Sequence, residues 1–351
     1  MVAHDVDVLL LSVGSDLPYL SGYMAMPLER LTMLVVPRDG EATMVIPRLE
    51  APRVAEQAGV FSLRPWNETD DPVAIVRELA GSPRVAAIGD TMWARFLVEL
   101  IDGWGSSTRF VRSTTVMNEL RMRKDAAEIA ALAAAGAAAD RVAAQLHAGE
   151  IALEGRTEAQ VSADISARLI AHGHDVVNFA IVAAGENAAS PHHHAGDRVI
   201  RSGEIVLTDF GGTMNGYCSD ITRCVFLGEI PAEIADAYAV LHEAQAAGVA
   251  AGVVGASCQA VDRASRSVIT AAGYGEYFIH RTGHGIGMEA HEDPYMVEGN
   301  ALPIEAGHAF SVEPGIYVPG KWGMRLEDIV VASDDGPIAL NFANHALVTL
   351  G

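Results

Sequence analysis

Four carboxylates and one histidine in the C-terminal half stand in apolar or glycine-rich surroundings, where an unpaired charge is costly. Asp209 ends the run Ile205-Val206-Leu207-Thr208, and Asp220 follows Gly216-Tyr217-Cys218-Ser219. His284 lies between Gly283 and Gly285, and Glu313 follows Phe310-Ser311-Val312. Glu327 sits between Leu326 and Asp328-Ile329-Val330-Val331. A buried carboxylate without a partner is strongly destabilising or takes up a proton, so four of them need a common reason. A pair of divalent cations is such a reason. Oxygen-rich ligation with a single imidazole suits Mn²⁺, Co²⁺, Fe²⁺ or Zn²⁺. Five residues are too few for two separate sites, but bridging carboxylates let two ions share them, about 3.5–4 Å apart. Water held between such ions is a nucleophile near neutral pH, so the residue types point to hydrolysis.

Each residue also has a plainer reading. Asp209 and Asp220 neighbour glycine-rich segments and could cap turns. Glu327-Asp328 could be the solvated edge of a strand, and Glu313 before Pro314-Gly315 a loop acid. His284 is harder to explain away, because flanking glycines offer no packing. Five such coincidences together are improbable.

The elements that must position these residues change character along the chain. Up to about residue 115, strand-like runs (Val6 to Val13, Leu31 to Val36, Thr43 to Ile46, Arg84 to Ile88) alternate with helical stretches (Val73 to Leu79, Met92 to Ile101). Arg38-Asp39-Gly40 is a turn signal that makes the second and third strands a hairpin. This half, residues 1–120, reads as a smaller α/β domain. From Asp125 long helices appear: Asp125 to His147, then one opened by the capping box Thr157-Glu158-Ala159-Gln160 and stopping near Gly173. Strand-like runs follow at Val176 to Ala183, Glu204 to Phe210 and Ile221 to Leu227. The order then recurs: helices from Pro231 to Ala251 and Cys258 to Ala272, strands at Ala309 to Val312 and Leu326 to Val331. Two helices and paired strands, twice over, predict an α+β fold with a pseudo-twofold αα-ββ duplication in residues 121–351. Each half would deliver two carboxylates into one central cleft.

Length and composition set the bounds. At 351 residues, two domains are the default. A net charge of −21, from 24 basic and 45 acidic residues, and no basic stripe argue against nucleic acid or an anionic membrane as partner. Three cysteines, Cys218, Cys224 and Cys258, suit a reducing compartment. The first residues lack the basic region of a signal peptide, and no run of about 18 apolar residues is evident. A cytoplasmic location is expected.

The ordered motifs resemble the pita-bread metallopeptidases, the family of prolidase, aminopeptidase P and methionine aminopeptidase. They are Asp209-Phe210-Gly211 through Asp220-Ile221-Thr222-Arg223, Gly283-His284-Gly285-Ile286-Gly287, Glu313-Pro314-Gly315-Ile316-Tyr317, and Arg325-Leu326-Glu327-Asp328. Tyr19-Leu20-Ser21-Gly22-Tyr23 with Glu29-Arg30-Leu31-Thr32 is similar to the N-terminal domain of the prolidase and aminopeptidase P branch. The resemblance implies that Asp209, Asp220, His284, Glu313 and Glu327 are metal ligands, Asp220 and Glu327 bridging. It further implies that Glu313 shuttles protons to the leaving nitrogen, that His192 stabilises the tetrahedral intermediate, and that His291 contacts substrate near the scissile carbonyl. His280, four residues before His284, is implied on the substrate side, although one helical turn of separation would equally place it behind the ligands. Arg325, also implied at the substrate, and Arg223 resemble partners that hold the ligand carboxylates; an ordinary strand-edge ion pair is the alternative for Arg325. His193 and His194 are expected to be surface neighbours of His192. Glu292-Asp293-Pro294 departs from prolidases with a bulky aromatic between acid and proline, which bears on the fit of the leaving residue.

The expectation is therefore a dinuclear exopeptidase, with Mn²⁺ the foremost metal, that cleaves Xaa-Pro dipeptides. Aminopeptidase P, acting on longer peptides, is the near alternative. A creatinase-like amidinohydrolase or a non-catalytic relative is expected to have lost ligands that are present here, and a metal-dependent lyase is a further alternative. Homodimerisation is implied by the resemblance alone.

Overall fold

The computed structural model describes residues 1–351, which form two compact units, Met1–Arg121 and Met122–Gly351. In the first, aliphatic runs build a six-stranded sheet: β1 (Val8–Leu11), β2 (Met33–Pro37), β3 (Ala42–Pro47), β4 (Phe61–Trp66), β5 (Val85–Ile88) and β6 (Arg109–Arg112), in the order β4-β3-β2-β1-β5-β6. The turn at Arg38-Asp39-Gly40 does make an antiparallel hairpin of β2 and β3, with Met33 opposite Val45. Helices α1 (Asp16–Ser21), α2 (Pro72–Ala80), α3 (Ala94–Trp104) and α4 (Thr114–Arg121) complete the unit. The wholly apolar β1 is buried along its length, as a central strand covered on both faces must be. Strands β4 and β6 carry weak sequence signals, since Pro65 breaks the alternation of β4 and only Phe110-Val111 between two arginines is apolar in β6.

The second unit opens with α5 (Ala126–His147) and α6 (Glu158–Ala171). Asp125 and Thr157 cap them in complete capping boxes with Glu128 and Gln160. Helix α5 is long and apolar enough to cross a membrane by length and composition alone. Its stripe of Leu132, Ala135, Ala139, Val142 and Leu146 is instead buried against the protein interior. Strands β7 (Val176–Ala184), β8 (Ile205–Met214), β9 (Tyr217–Cys218) and β10 (Ile221–Leu227) follow, then α7 (Ala232–Ala251) and α8 (Cys258–Ala271). The remaining strands are β11 (Gly283–Gly285), β12 (Glu292–Met296), β13 (Ala309–Val312), β14 (Gly315–Val318), β15 (Trp322–Arg325), β16 (Asp328–Val331), β17 (Ile338–Ala339) and β18 (Val348–Leu350).

They form two sheets, β18-β10-β8-β7 with β9 on β8, and β12-β11-β13-β16-β17, together with the hairpin β14-β15. Two helices precede each sheet, so the expected αα-ββ repetition is the architecture of this unit. A bridge between Thr222 and Glu327 joins the sheets where the carboxylates lie. This is the architecture that the resemblance to the pita-bread enzymes implied.

Several buried histidines make the unit sensitive to acid, and His308 is one that lies away from the acidic cluster. Burial, only partly offset by Glu305, holds His308 down to about 4, and the ring is 1% exposed. An unfolded histidine titrates near 6.5, so the unfolded chain binds the proton first as pH falls. This stability is fully present above about pH 6.5 and is lost towards pH 4. Thermal melts between pH 7 and 4.5 should show a steeper decline for the wild type than for His308→Gln; parallel curves would exclude His308 as the source.

Candidate metal centre and active site

The five expected ligands come from strand segments of both sheets. Asp209 is the fifth residue of β8, and Asp220 stands immediately before β10. His284 is the middle residue of β11, Glu313 directly follows β13, and Glu327 directly precedes β16. Asp209, Asp220, His284 and Glu327 are all at most 8% exposed. The turn-capping and strand-edge readings are thereby excluded. The glycines beside His284 have a structural purpose: a Cβ at Gly283 would collide with the Ser311 carbonyl, and one at Gly285 with the Asp293 backbone. Their absence of side chain lets β13 and β12 close around the imidazole.

Donor atoms converge in three overlapping triads, each with its atoms within 4.8 Å of one another. These are Asp209, Asp220 and Glu327; His284, Glu313 and Glu327; and Asp220, His284 and His291. Asp220, His284 and Glu327 each belong to two of them. The Nδ1 of His284 lies 3.0 Å from the Gly285 carbonyl, which can only accept, so Nδ1 carries a hydrogen. Nε2, 3.2 Å from Glu313 and 3.8 Å from Asp220, is therefore the nitrogen that can present a lone pair to a cation. The buried Oδ1 atoms of Asp209 and Asp220 have no hydrogen-bond partner. Buried, unpartnered carboxylate oxygens facing an available imidazole nitrogen fit divalent cations.

The electrostatics agree. Burial pushes the Asp220 carboxyl well above the usual range, and the charges of Glu327, Asp209 and Glu313 push it further. Burial does the same to Glu327, reinforced by Glu313 and Asp209. Asp209 is raised by burial against the opposing pull of Arg325. Burial raises Glu313 too, but the hydrogen bond to His284, with the charge of His280 and Arg325, outweighs it and holds the group at about 2. Four acids that cannot all ionise together unaided are poised for cation binding.

The supporting network is largely hydrogen-bonded side chains. Arg325 is 3% exposed and is no strand-edge pair: it binds Asp209, donates to the Tyr317 hydroxyl at 2.6 Å and to Thr222 at 3.1 Å. Thr222 donates to Glu327 at 2.6 Å, and Ser311 to Glu313 at 3.1 Å. Arg223, fully buried, binds Asp328 at 2.7 Å and the Glu327 carbonyl at 2.7 Å. Neither Tyr317 nor Thr222 was singled out from the sequence, although both lie inside the quoted motifs; their hydroxyls acquire meaning only once Arg325 is seen between them. Asp262 of α8 accepts from Thr282, whose carbonyl in turn accepts the Glu313 amide at 2.8 Å. No sequence spacing reveals that link.

The cluster forms the floor of a cavity of about 1040 Å³, which His192, His280 and His291 also line. The His291 ring lies 3.9 Å from the His284 ring, centre to centre, and is tilted 49° from it. His280 is not one helical turn from His284, because the segment is not helical. Its nitrogens meet the Arg281 carbonyl at 2.7 Å and the Tyr317 hydroxyl at 2.9 Å, which ties it to the Arg325 network. His193 is not a surface neighbour: its Nε2 lies 2.8 Å from Glu158, which is wholly buried on α6. His194 is exposed, though it too lines the cavity.

Comparison with known proteins gives a concordant answer. Residues 127–334 match metallopeptidase family M24, and residues 1–123 match the creatinase/prolidase N-terminal domain. A probable dipeptidase, PepE, of Mycobacterium tuberculosis is 45% identical over 97% of this chain and 92% of its own. The crystal structure of dipeptidase PepE from Mycobacterium ulcerans is 46% identical, with a TM-score of 0.92 over 98% of this chain and 93% of that one. A prolidase from Thermococcus sibiricus is 35% identical, with a TM-score of 0.92 over 99% and 95%. The buried acidic cluster, the two sheets that carry it and these likenesses place the chain in metallopeptidase family M24, as an enzyme with a creatinase/prolidase-type N-terminal domain.

Proposed function

We propose that the protein is a dinuclear metallo-exopeptidase that hydrolyses the Xaa-Pro bond of dipeptides. The observation that carries this reading is the overlap of the donor triads, in which Asp220, His284 and Glu327 each belong to two; of these only the carboxylates have two oxygens with which to bridge, which suits two ions held by five ligands: Asp209, Asp220, His284, Glu313 and Glu327. When bound, the ions would supply Lewis acidity and an activated water. The peptidase likenesses supply the substrate class, and Mn²⁺ is the proposed metal.

The remaining chemistry belongs to side chains. A proline imide nitrogen has no N–H and leaves only if protonated, so a proton must travel from the attacking water to that nitrogen. Glu313, at the cluster and bonded to Ser311 and His284, is the carrier. His192 and His291 line the cavity above the floor, where an N–H donor offsets charge that develops on the carbonyl oxygen. Arg325 and His280 act from behind through Asp209 and Tyr317.

Metal analysis and a peptide panel test this. The purified protein should hold two divalent ions per chain, lose activity on chelation and regain it with Mn²⁺. It should cleave Gly-Pro faster than Gly-Pro-Pro. The reverse preference would indicate aminopeptidase P, and metal-free turnover would end the dinuclear reading.

A further inference from the structure

We propose that Arg281 recognises a free carboxylate of the substrate, namely the C-terminal carboxylate of the dipeptide; this rests on the peptidase reading above. Arg281 is half-buried and lines the cavity. The other charged groups of the lining are already engaged: the four acids gather at the cluster, and Arg325 is bound to Asp209. Nearby arginines of α8 are paired as well, Arg263 with Glu298 at 2.6 Å and Arg266 with Asp262 at 2.9 Å. The guanidinium of Arg281 makes no ion pair and no hydrogen bond, in a chain with 45 acidic residues. It rests 4.4 Å above the Tyr295 ring instead.

This arrangement suits a planar anion. Stacking on Tyr295 orients the guanidinium while its N–H edges stay available for a two-pronged bond to a carboxylate. The backbone is clamped on both sides, since His280 binds the Arg281 carbonyl and Asp262 holds Thr282. A fixed backbone and a stacked side chain reduce the entropy lost on binding. Phe179, Ile181 and Val297 give the same cavity an apolar wall that a proline ring can cover. A longer peptide carries its terminal carboxylate farther from the bond before proline, so a fixed cation here favours dipeptides.

Two substrate positions carry the same chemistry: the C-terminus and an acidic side chain before proline. The experiment uses the metal-loaded full-length enzyme, Arg281→Met and Arg281→Lys, with Ala-Pro, Ala-prolinamide and Asp-Pro as substrates. Arg281→Met should lower the ratio of kcat/KM for Ala-Pro over Ala-prolinamide by about 10- to 100-fold, chiefly through KM. Inhibition by free proline should weaken in parallel while inhibition by prolinamide does not, and Arg281→Lys should recover part of both effects. An unchanged ratio in a variant whose melting temperature matches the wild type overturns the proposal. Loss confined to Asp-Pro relative to Ala-Pro also overturns it, and moves the contact to the side chain before proline. Wild-type enzyme inert on all three peptides refutes the Xaa-Pro reading itself, an outcome distinct from either of these.

Discussion

Asp220→Ala is expected to abolish peptidase activity, by on the order of 10³-fold, and to lower bound metal from two ions to one or none. Asp220 is 3% exposed, shares two donor triads and has an oxygen with no protein partner. Its loss therefore removes a shared ligand rather than a structural hydrogen bond. In the absence of metal the variant should melt at or above the wild-type temperature, because burial and like charges oppose ionisation of this group. Metal analysis, turnover and metal-free melting separate the possibilities. Full turnover with a single ion would refute bridging by Asp220. A large drop in metal-free stability would show that the residue holds the fold.

Arg223→Met should act on the opposite link, stability rather than chemistry. Arg223 is wholly buried, and its donors reach Asp328, the carbonyls of Thr222 and Glu327, and the tail carbonyls of Ala343 and Asn344. Removing one partner of a buried pair costs about 3–5 kcal/mol, because the remaining charge is left without its counterion. Asp328 keeps Gln245 at 3.1 Å and His345 at 2.5 Å, which favours the lower end. A fall in melting temperature of about 10 °C is expected for a unit of this size. Adding Asp328→Asn should restore part of it, since the stranded charge disappears. A double variant no more stable than Arg223→Met alone would show that the carbonyl contacts, not the ion pair, hold the two sheets together.

The five-residue constellation was legible in the chain because each member violates local expectation. A carboxylate closing a run such as Ile205-Val206-Leu207-Thr208 cannot be explained by strand propensity, and the glycines on both sides of His284 offer the imidazole no neighbouring side chain to pack on. The helices were legible for the complementary reason: the capping box at Thr157 and the stop near Gly173 are local signals. Residues whose role depends on a distant partner left no such mark. His193 looked like a surface neighbour because Glu158, its partner, lies 35 positions away on a helix. His280 looked one helical turn from His284 because spacing alone does not reveal that residues 280–284 are not helical.

What the sequence by itself determined is the chemistry available: which acids are suited to share a cation, which helices begin where, and that the helix-pair and strand pattern occurs twice. Local periodicity and the energetic penalty of a lone buried charge are properties of neighbouring residues, so they can be read along the chain. Only the tertiary structure decided which oxygen atoms have no partner, that Arg325, Tyr317 and Thr222 stand behind the acidic cluster, and that Arg281, unlike Arg325, has no acidic partner. Those facts arise when β8, β11, β13 and β16 meet, and a contact across a hundred residues has no period for the sequence to carry.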